Sequence, residues 1–304
     1  MSSEKWWRTE QKDSRGERQS LGHVRASGHF KSYINPCLNT LNNSRLSFHV
    51  GPLCITTVCV VDDMYVLTES PSSLQAALKI VSHYGKQYQL KFNAEKTKIT
   101  VTGSKIDMEY FKDTHPWHLN GETVSVVENN DHPGLIVSGL DEEQKNVDQN
   151  ITQCRGSLFG LLGPAYAFKC MLSPVLQVHL WRTYNLPTLL SCLSSLPIRP
   201  SHTKALSIFQ NKTLWGFLKL SNSSPIPSLY FLLGELPVEA QIHINTLSLF
   251  HNVWANPDIT VNEIVKYILR MCTSNSTTWS NHIQLLSQKY NLPNPLYLLE
   301  NVHP

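Results

Sequence analysis

Two short apolar runs, Val58-Cys59-Val60-Val61 and Met64-Tyr65-Val66-Leu67, are separated by nothing but the pair Asp62-Asp63. Runs of this length and β-branched content suit buried strands and are too short for a helix, which puts the pair at the tip of a buried hairpin. Two adjacent carboxylates carried on rigid strands are also a means of holding divalent metal ions against phosphate groups. An acidic pair alone is weak evidence, because carboxylates are common in hairpin turns for reasons of solvation. The order of the elements around it carries more information.

Before the hairpin, Phe30, Ile34, Cys37, Leu38 and Leu41 fall near a helical spacing, and Pro36 predicts a break in that helix. After it, Ser70-Pro71 supplies an N-cap followed by proline at the first helical position. Leu74, Leu78 and Val81 then form one stripe, with Gly85 as the expected stop. Tyr88, Leu90 and Phe92 alternate with polar residues as a half-buried strand does. Ile99 and Val101 repeat the alternation beyond the polar turn Asn93-Ala94-Glu95-Lys96. Trp117-His118-Leu119 and Thr123-Val124-Ser125-Val126 flank Asn120-Gly121, the dipeptide that accepts positive φ in a type I′ hairpin.

From about Asp141 the period changes. Val147, Ile151, Cys154, Leu158 and Leu161 step by four and three along one face of a long helix, and Lys145, Asp148 and Arg155 lie on the other. Thr260 and Glu263 read as a capping box ahead of Ile264, Ile268 and Met271. Trp279, Ile283, Leu286 and Tyr290 mark a last amphipathic helix, and Ser221 to Pro227 is the best linker candidate. The fold class is therefore α+β in the first half, followed by a mainly helical second half.

With 304 residues and 41% hydrophobic content the chain can bury a sizeable core, in about two domains of roughly 150 residues each. A net charge of +3 is mildly basic and compatible with nucleic acid. The seven cysteines show no C-x-x-C spacing and are expected as reduced, buried thiols. The first twenty residues are too charged for a secretory signal. The apolar stretches at 158–172 and 186–198 are broken by Lys169, Pro187 and serines, short of the ~20 residues that span a bilayer. The expected location is intracellular, cytoplasmic or nuclear, with no membrane partner.

In order, Val60-Val61-Asp62-Asp63, Ser72-Ser73-Leu74-Gln75, Asn93 to Lys98, the Asn120-Gly121 hairpin and His132-Pro133-Gly134-Leu135 resemble the carboxy-terminal palm and thumb portion of a reverse transcriptase. The resemblance is to enzymes of non-long-terminal-repeat (LINE-type) retrotransposons and covers roughly Gly22 to Leu220. It implies a partial polymerase palm over residues 22–140, a helical thumb over 141–220 and a helical extension over 221–304, behind a charged, disordered segment 1–21. By resemblance Asp62 is the palm metal ligand for Mg²⁺, and Asp63 is its neighbour near the primer end. Lys96 is an aid to pyrophosphate departure, and Gly134 with Leu135 belongs to the primer grip. The implied partners of the intact parent enzyme are an RNA template, a DNA primer and the incoming nucleotide.

The chain departs from the family pattern in several places. The only aspartate ahead of Asp62 is Asp13, in a charged stretch without an apolar strand, so the second set of metal-binding carboxylates has no counterpart in this sequence. Arg25-Ala26-Ser27-Gly28 stands where the family has Arg-Gln-Gly, Val61 replaces Ala, and Pro133 replaces Leu. The fingers region has no counterpart either. The expectation is a catalytically incomplete RNA-directed DNA polymerase fragment, with an exposed palm-sheet edge that favours aggregation. The competing reading is a non-catalytic helical module that binds nucleic acid or protein. On that reading Lys145, Arg155, Lys169, Arg182, Arg199, Lys204, Lys212 and Lys219 contact phosphates, or are simply a solvated face around core aromatics.

Overall fold

A computed structural model describes residues 26–60, 63–102, 116–132, 134–138, 141–167, 172–221, 223–256, 259–271 and 278–301. Segment 1–21 and Arg25, Val61, Asp62, Pro133, Lys169, Cys170 and Cys272 lie outside the described residues. The chain divides into two compact units, Met1–Lys98 with Asp113–Ser125, and Ile99–Lys112 with Val126–Pro304.

The first unit starts with α1 (Ala26–Asn42) and the strands β1 (Phe48–Val50) and β2 (Leu53–Ile55). β3 (Thr57–Val60), β4 (Asp63–Val66) and α2 (Pro71–Tyr88) follow, then β5 (Lys98–Thr100), of which only Lys98 counts with this unit, and the hairpin β6 (Trp117–Leu119) and β7 (Glu122–Val127), whose last two residues count with the second. α1 passes through Pro36 without the expected break. Ile34, Cys37 and Leu41 on either side of the proline are almost completely buried along one face, which holds the helix together at the loss of one backbone donor. Two long-range bonds tie that helix to α2: the Tyr84 hydroxyl donates to the Tyr33 carbonyl at 2.5 Å, and the Tyr33 hydroxyl to the Tyr88 carbonyl at 2.6 Å.

α2 begins as its sequence requires, with the Ser70 hydroxyl accepting from the Ser73 N–H at 3.2 Å and Pro71 in the first turn. It does not stop at Gly85. The helix continues to Tyr88 and is closed by Gln89 in the left-handed region at φ 57°, where the Leu90 N–H donates back to the Gly85 carbonyl. A Cβ on Gly85 would stand 2.7 Å from the Leu90 oxygen, so the glycine serves this close approach rather than a helix stop. Tyr88 is consequently helical, its ring centroid 4.4 Å from that of Tyr84, and residues 90–93 form no strand. The Asn120-Gly121 hairpin forms as expected, with φ of 56° and 89° at its two central residues.

In the second unit the ribbon β8 (Asn129–His132) and β9 (Leu135–Ser138) precedes α3 (Glu142–Ala167), α4 (Pro174–Leu180), a π-helical turn (Trp181–Asn185) and α5 (Leu186–Leu189). A 3₁₀ turn (Leu193–Ser195) leads to α6 (Pro200–Leu218), α7 (Ile226–Leu233), α8 (Val238–Trp254), α9 (Ile259–Arg270), α10 (Trp279–Lys289) and α11 (Pro295–Asn301). Val147 and Cys154 of α3 pack with Trp181, Leu189, Leu206, Leu214, Leu229 and Ile242 in one continuous core. Ile226 and Pro227 already belong to α7, and the helices on either side of the preceding serines, α6 and α7, share that core. Thr260 lies inside the first turn of α9, and Glu263 pairs with Lys266 at 2.8 Å.

Of the described cysteines, Cys37 and Cys154 are buried, Cys59 and Cys192 are partly so, and Cys54 is exposed. Burial pushes the Cys37 thiol up to about 11 and the Cys154 thiol up to about 12, so both are unreactive. The expectation of uniformly buried thiols fails at Cys54, whose position in β2 faces solvent.

Three histidines make the second unit sensitive to acid. Burial holds His243 below its ordinary range, with Lys289 adding to the effect and Glu239 opposing it. His282 is lowered by burial and by His243, and His202 by burial and Arg199 against the opposing carboxylates of Glu143 and Asp148. The His243 ring also meets the Tyr290 hydroxyl at 2.8 Å. A folded imidazole with a depressed pKa binds fewer protons than the unfolded one. Its contribution is intact above about pH 6.5 and is lost as pH falls toward the folded value. The urea midpoint is expected to drop between about pH 7 and 5.5, above the carboxylate range, and His282→Phe is expected to flatten that drop. A midpoint that stays constant over this window would remove the three histidines as the cause.

Candidate active-site hairpins

Each candidate residue sits on an element whose local geometry has a stated cause. β3 and β4 pair antiparallel with Thr57 opposite Val66 and Val60 opposite Asp63, so strand pairing extends to Asp63 itself. Asp63 is thus the first residue of β4, and its side chain is exposed to solvent. Asp62 lies outside the described residues. Among the described residues no group of three or more His, Cys, Asp or Glu is placed to hold a metal ion.

Lys96 closes a tight polar turn. The Asn93 side-chain oxygen accepts from the Lys96 N–H at 3.2 Å, while the Asn93 carbonyl accepts from the Thr97 N–H and hydroxyl at 3.0 and 2.7 Å. Ala94 is buried beneath the turn at 2% exposure, so the Asn-x-x-Lys-Thr segment folds back on a fixed base with the Lys96 side chain exposed. Asp63 and Lys96 belong to the first unit.

Gly134 and Leu135 belong to the second. The β8–β9 register pairs His132 with Leu135, which puts Gly134 in the connection at φ 80°. A Cβ there would come within 3.3 Å of the Ser191 hydroxyl, a tight contact, and the left-handed backbone conformation itself favours glycine. Leu135 opens β9 and packs against the main core.

Residues that the sequence did not single out hold this ribbon in place. The Asn146 side-chain amide accepts from the Ile136 N–H at 2.8 Å and donates to the Ile136 carbonyl at 2.9 Å, as a neighbouring strand would. It also donates to the Glu142 carbonyl of its own helix. Asn150, one turn on, donates to the carbonyls of Leu189 and Ser191, on the turn beside Gly134. Both backbone groups of Ile136 in β9 are thereby satisfied by a side chain in place of a further strand. A signal was present in the sequence: two asparagines four apart, each one residue ahead of the core-facing positions Val147 and Ile151.

The cations of the helical half are largely engaged within the fold. Lys145 donates to the side-chain oxygens of Asn129 and Ser138, both at 2.7 Å. Arg155 lies 6.0 Å from the Phe209 ring centroid, Arg199 reaches Glu143, and Arg182 pairs with Glu235. Trp181 is fully buried and Phe209 and Trp215 pack against the core, so these aromatics serve packing, whereas Phe159 and Tyr184 face solvent.

An acidic hairpin, a helix, a polar turn and further strands, followed by helices, is an arrangement consistent with a partial polymerase palm-like domain. The family model for reverse transcriptase (RNA-dependent DNA polymerase) matches residues 5–176, more than half of the chain. The chain belongs to the reverse transcriptase family, and nucleic acid is its general class of substrate. The match starts ahead of the Gly22 expected from the motifs and stops short of Leu220, within α4. No curated protein matches this chain.

Proposed function

We propose that the chain is the carboxy-terminal palm and thumb portion of an RNA-directed DNA polymerase from a LINE-type retrotransposon, with RNA as template and DNA as primer. Residues 22–140 act as the partial palm, 141–220 as the thumb and 221–304 as an extension. The observation that carries this reading is the β3–β4 register, which brings strand pairing up to Asp63 at the acidic end of a short hairpin. Asp62 and Asp63 would supply two of the oxygens that a hard cation requires, and Mg²⁺ retains water at its remaining positions. Bound there, it would neutralise charge that builds on the transferred phosphoryl group. Lys96, held on its rigid turn, is suited to the leaving pyrophosphate, and Gly134 with Leu135 to the primer.

Two adjacent carboxylates are about half the set that a two-metal site uses, and in this sequence Asp13 is the only aspartate ahead of them. The expected outcome for this chain on its own is therefore no extension of a DNA primer on RNA with Mg²⁺ and deoxynucleotides. Mn²⁺ is still expected to broaden the amide resonances of β3 and β4, with a dissociation constant on the order of 1 mM. That broadening should vanish in Asp62→Asn/Asp63→Asn. Extension that Asp62→Asn abolishes would show a complete active site, and broadening unaffected by the double variant would remove the pair as a metal site.

A further inference from the structure

We propose that a cleft between α2 and the β6–β7 hairpin binds the phosphodiester backbone of a nucleic-acid strand. It does not depend on the roles given to Asp62, Asp63, Lys96 or the primer-grip residues. The cleft has a volume of about 410 Å³ and lies wholly within the first unit. Gln75, Lys79, Ser82 and Lys86 line it from α2 at a spacing of four, three and four, which makes them a single stripe along the helix. His118, Asn120 and Gly121 line it from the hairpin.

The floor is rigid and its polar groups are already paired. The Gln75 side chain donates to the His118 carbonyl at 3.1 Å and accepts from the His118 N–H at 3.2 Å. The Ser82 hydroxyl accepts from the Asn120 N–H at 2.9 Å, and the Asn120 amide donates on to the Phe92 carbonyl. These bonds fix the hairpin on the helix and leave the two lysines as the chargeable groups above it. Lys79 and Lys86 are exposed, and no carboxylate occurs anywhere in α2 to neutralise them.

Seven residues of helix set the two lysines about 10 Å apart along its axis, a span that suits two separate phosphates of one strand more than a single small anion. The neighbouring Glu122, the first residue of β7, is the acidic group adjoining the hairpin turn in sequence. A helical stripe that carries two exposed lysines and no carboxylate, set against a fixed hairpin, is the electrostatic footprint expected of backbone contact without base reading.

The test uses the full chain and a fluorescent single-stranded RNA of about 20 nucleotides, with anisotropy followed from about 50 to 200 mM salt. Lys79→Glu/Lys86→Glu is expected to weaken binding roughly tenfold at the low-salt end. The slope of log affinity against log salt should fall in magnitude by about 1.4, two phosphate contacts at about 0.7 each. Lys31→Glu/Arg45→Glu, the same charge change on exposed residues outside the cleft, should leave the slope unaltered. Glu122→Gln should tighten binding. Equal effects of the two double variants would mean net charge alone, and an unchanged slope or no RNA binding at low salt would overturn the site. Displacement of the RNA by millimolar inorganic phosphate would overturn it too, by showing a site for the free anion.

Discussion

Trp181→Ala is expected to destabilise the helical unit by about 3–5 kcal/mol, the range for deleting a large aromatic from a core. The side chain is completely buried at the start of the π-helical turn, with the rings of Phe209 and Phe217 each 6.4 Å from its own. Neither neighbour can fill the space, because Phe217 is itself buried and Phe209 is packed against the same core. Trp181→Phe should cost much less than its lost area implies. The indole N–H of Trp181 is buried without a hydrogen-bond partner, and the substitution removes that penalty along with the volume. Chemical denaturation followed by circular dichroism measures both. A loss below about 1 kcal/mol for the alanine variant would mean that the π turn is not packed as described.

Arg182→Ala should cost about 2–4 kcal/mol, the next largest effect, although the arginine is half-exposed. The reason lies with its partner. The Glu235 side chain is only 2% exposed and is paired with the Arg182 guanidinium, so removing the arginine leaves a carboxylate out of water without a counter-charge. The same guanidinium donates to the carbonyls of Leu233 and Gly234 at 2.8 Å, satisfying the end of α7, and those acceptors would be lost to it as well. Exposure of the arginine at 48% argues for the lower part of the range, since water screens part of the attraction. The double variant Arg182→Ala/Glu235→Gln should recover a sizeable part of the loss, and additive losses in that cycle would refute the account. Pairs such as Lys289–Glu239, about half-exposed on both sides, are expected to matter by well under 1 kcal/mol.

Where the reading of local pattern succeeds, the cause is itself local. The Ser70-Pro71 helix start, the Asn120-Gly121 turn and the four-and-three stepping of Val147 to Leu161 each depend on residues a few positions apart. Where it fails, a distant partner intervenes. Pro36 does not break α1 because a buried face spans it, and Gly85 does not stop α2 because the chain folds back over it at Leu90. Tyr88 alternates like a strand residue and is held in a helix among Tyr33 and Tyr84.

The candidate site divides along the same line. The chemistry of Asp62-Asp63, the Asn93 to Thr97 turn and the family they point to are legible in the linear order of residues, because short-range geometry and the types of side chain suffice to define them. That Gly134 abuts Ser191, that Asn146 completes the edge of β9 and that Lys79 and Lys86 share a cleft with the hairpin turn were settled only in three dimensions. Such contacts join segments whose separation along the chain carries no periodic trace, and packing and hydrogen bonding between them select one arrangement among many that the local pattern permits.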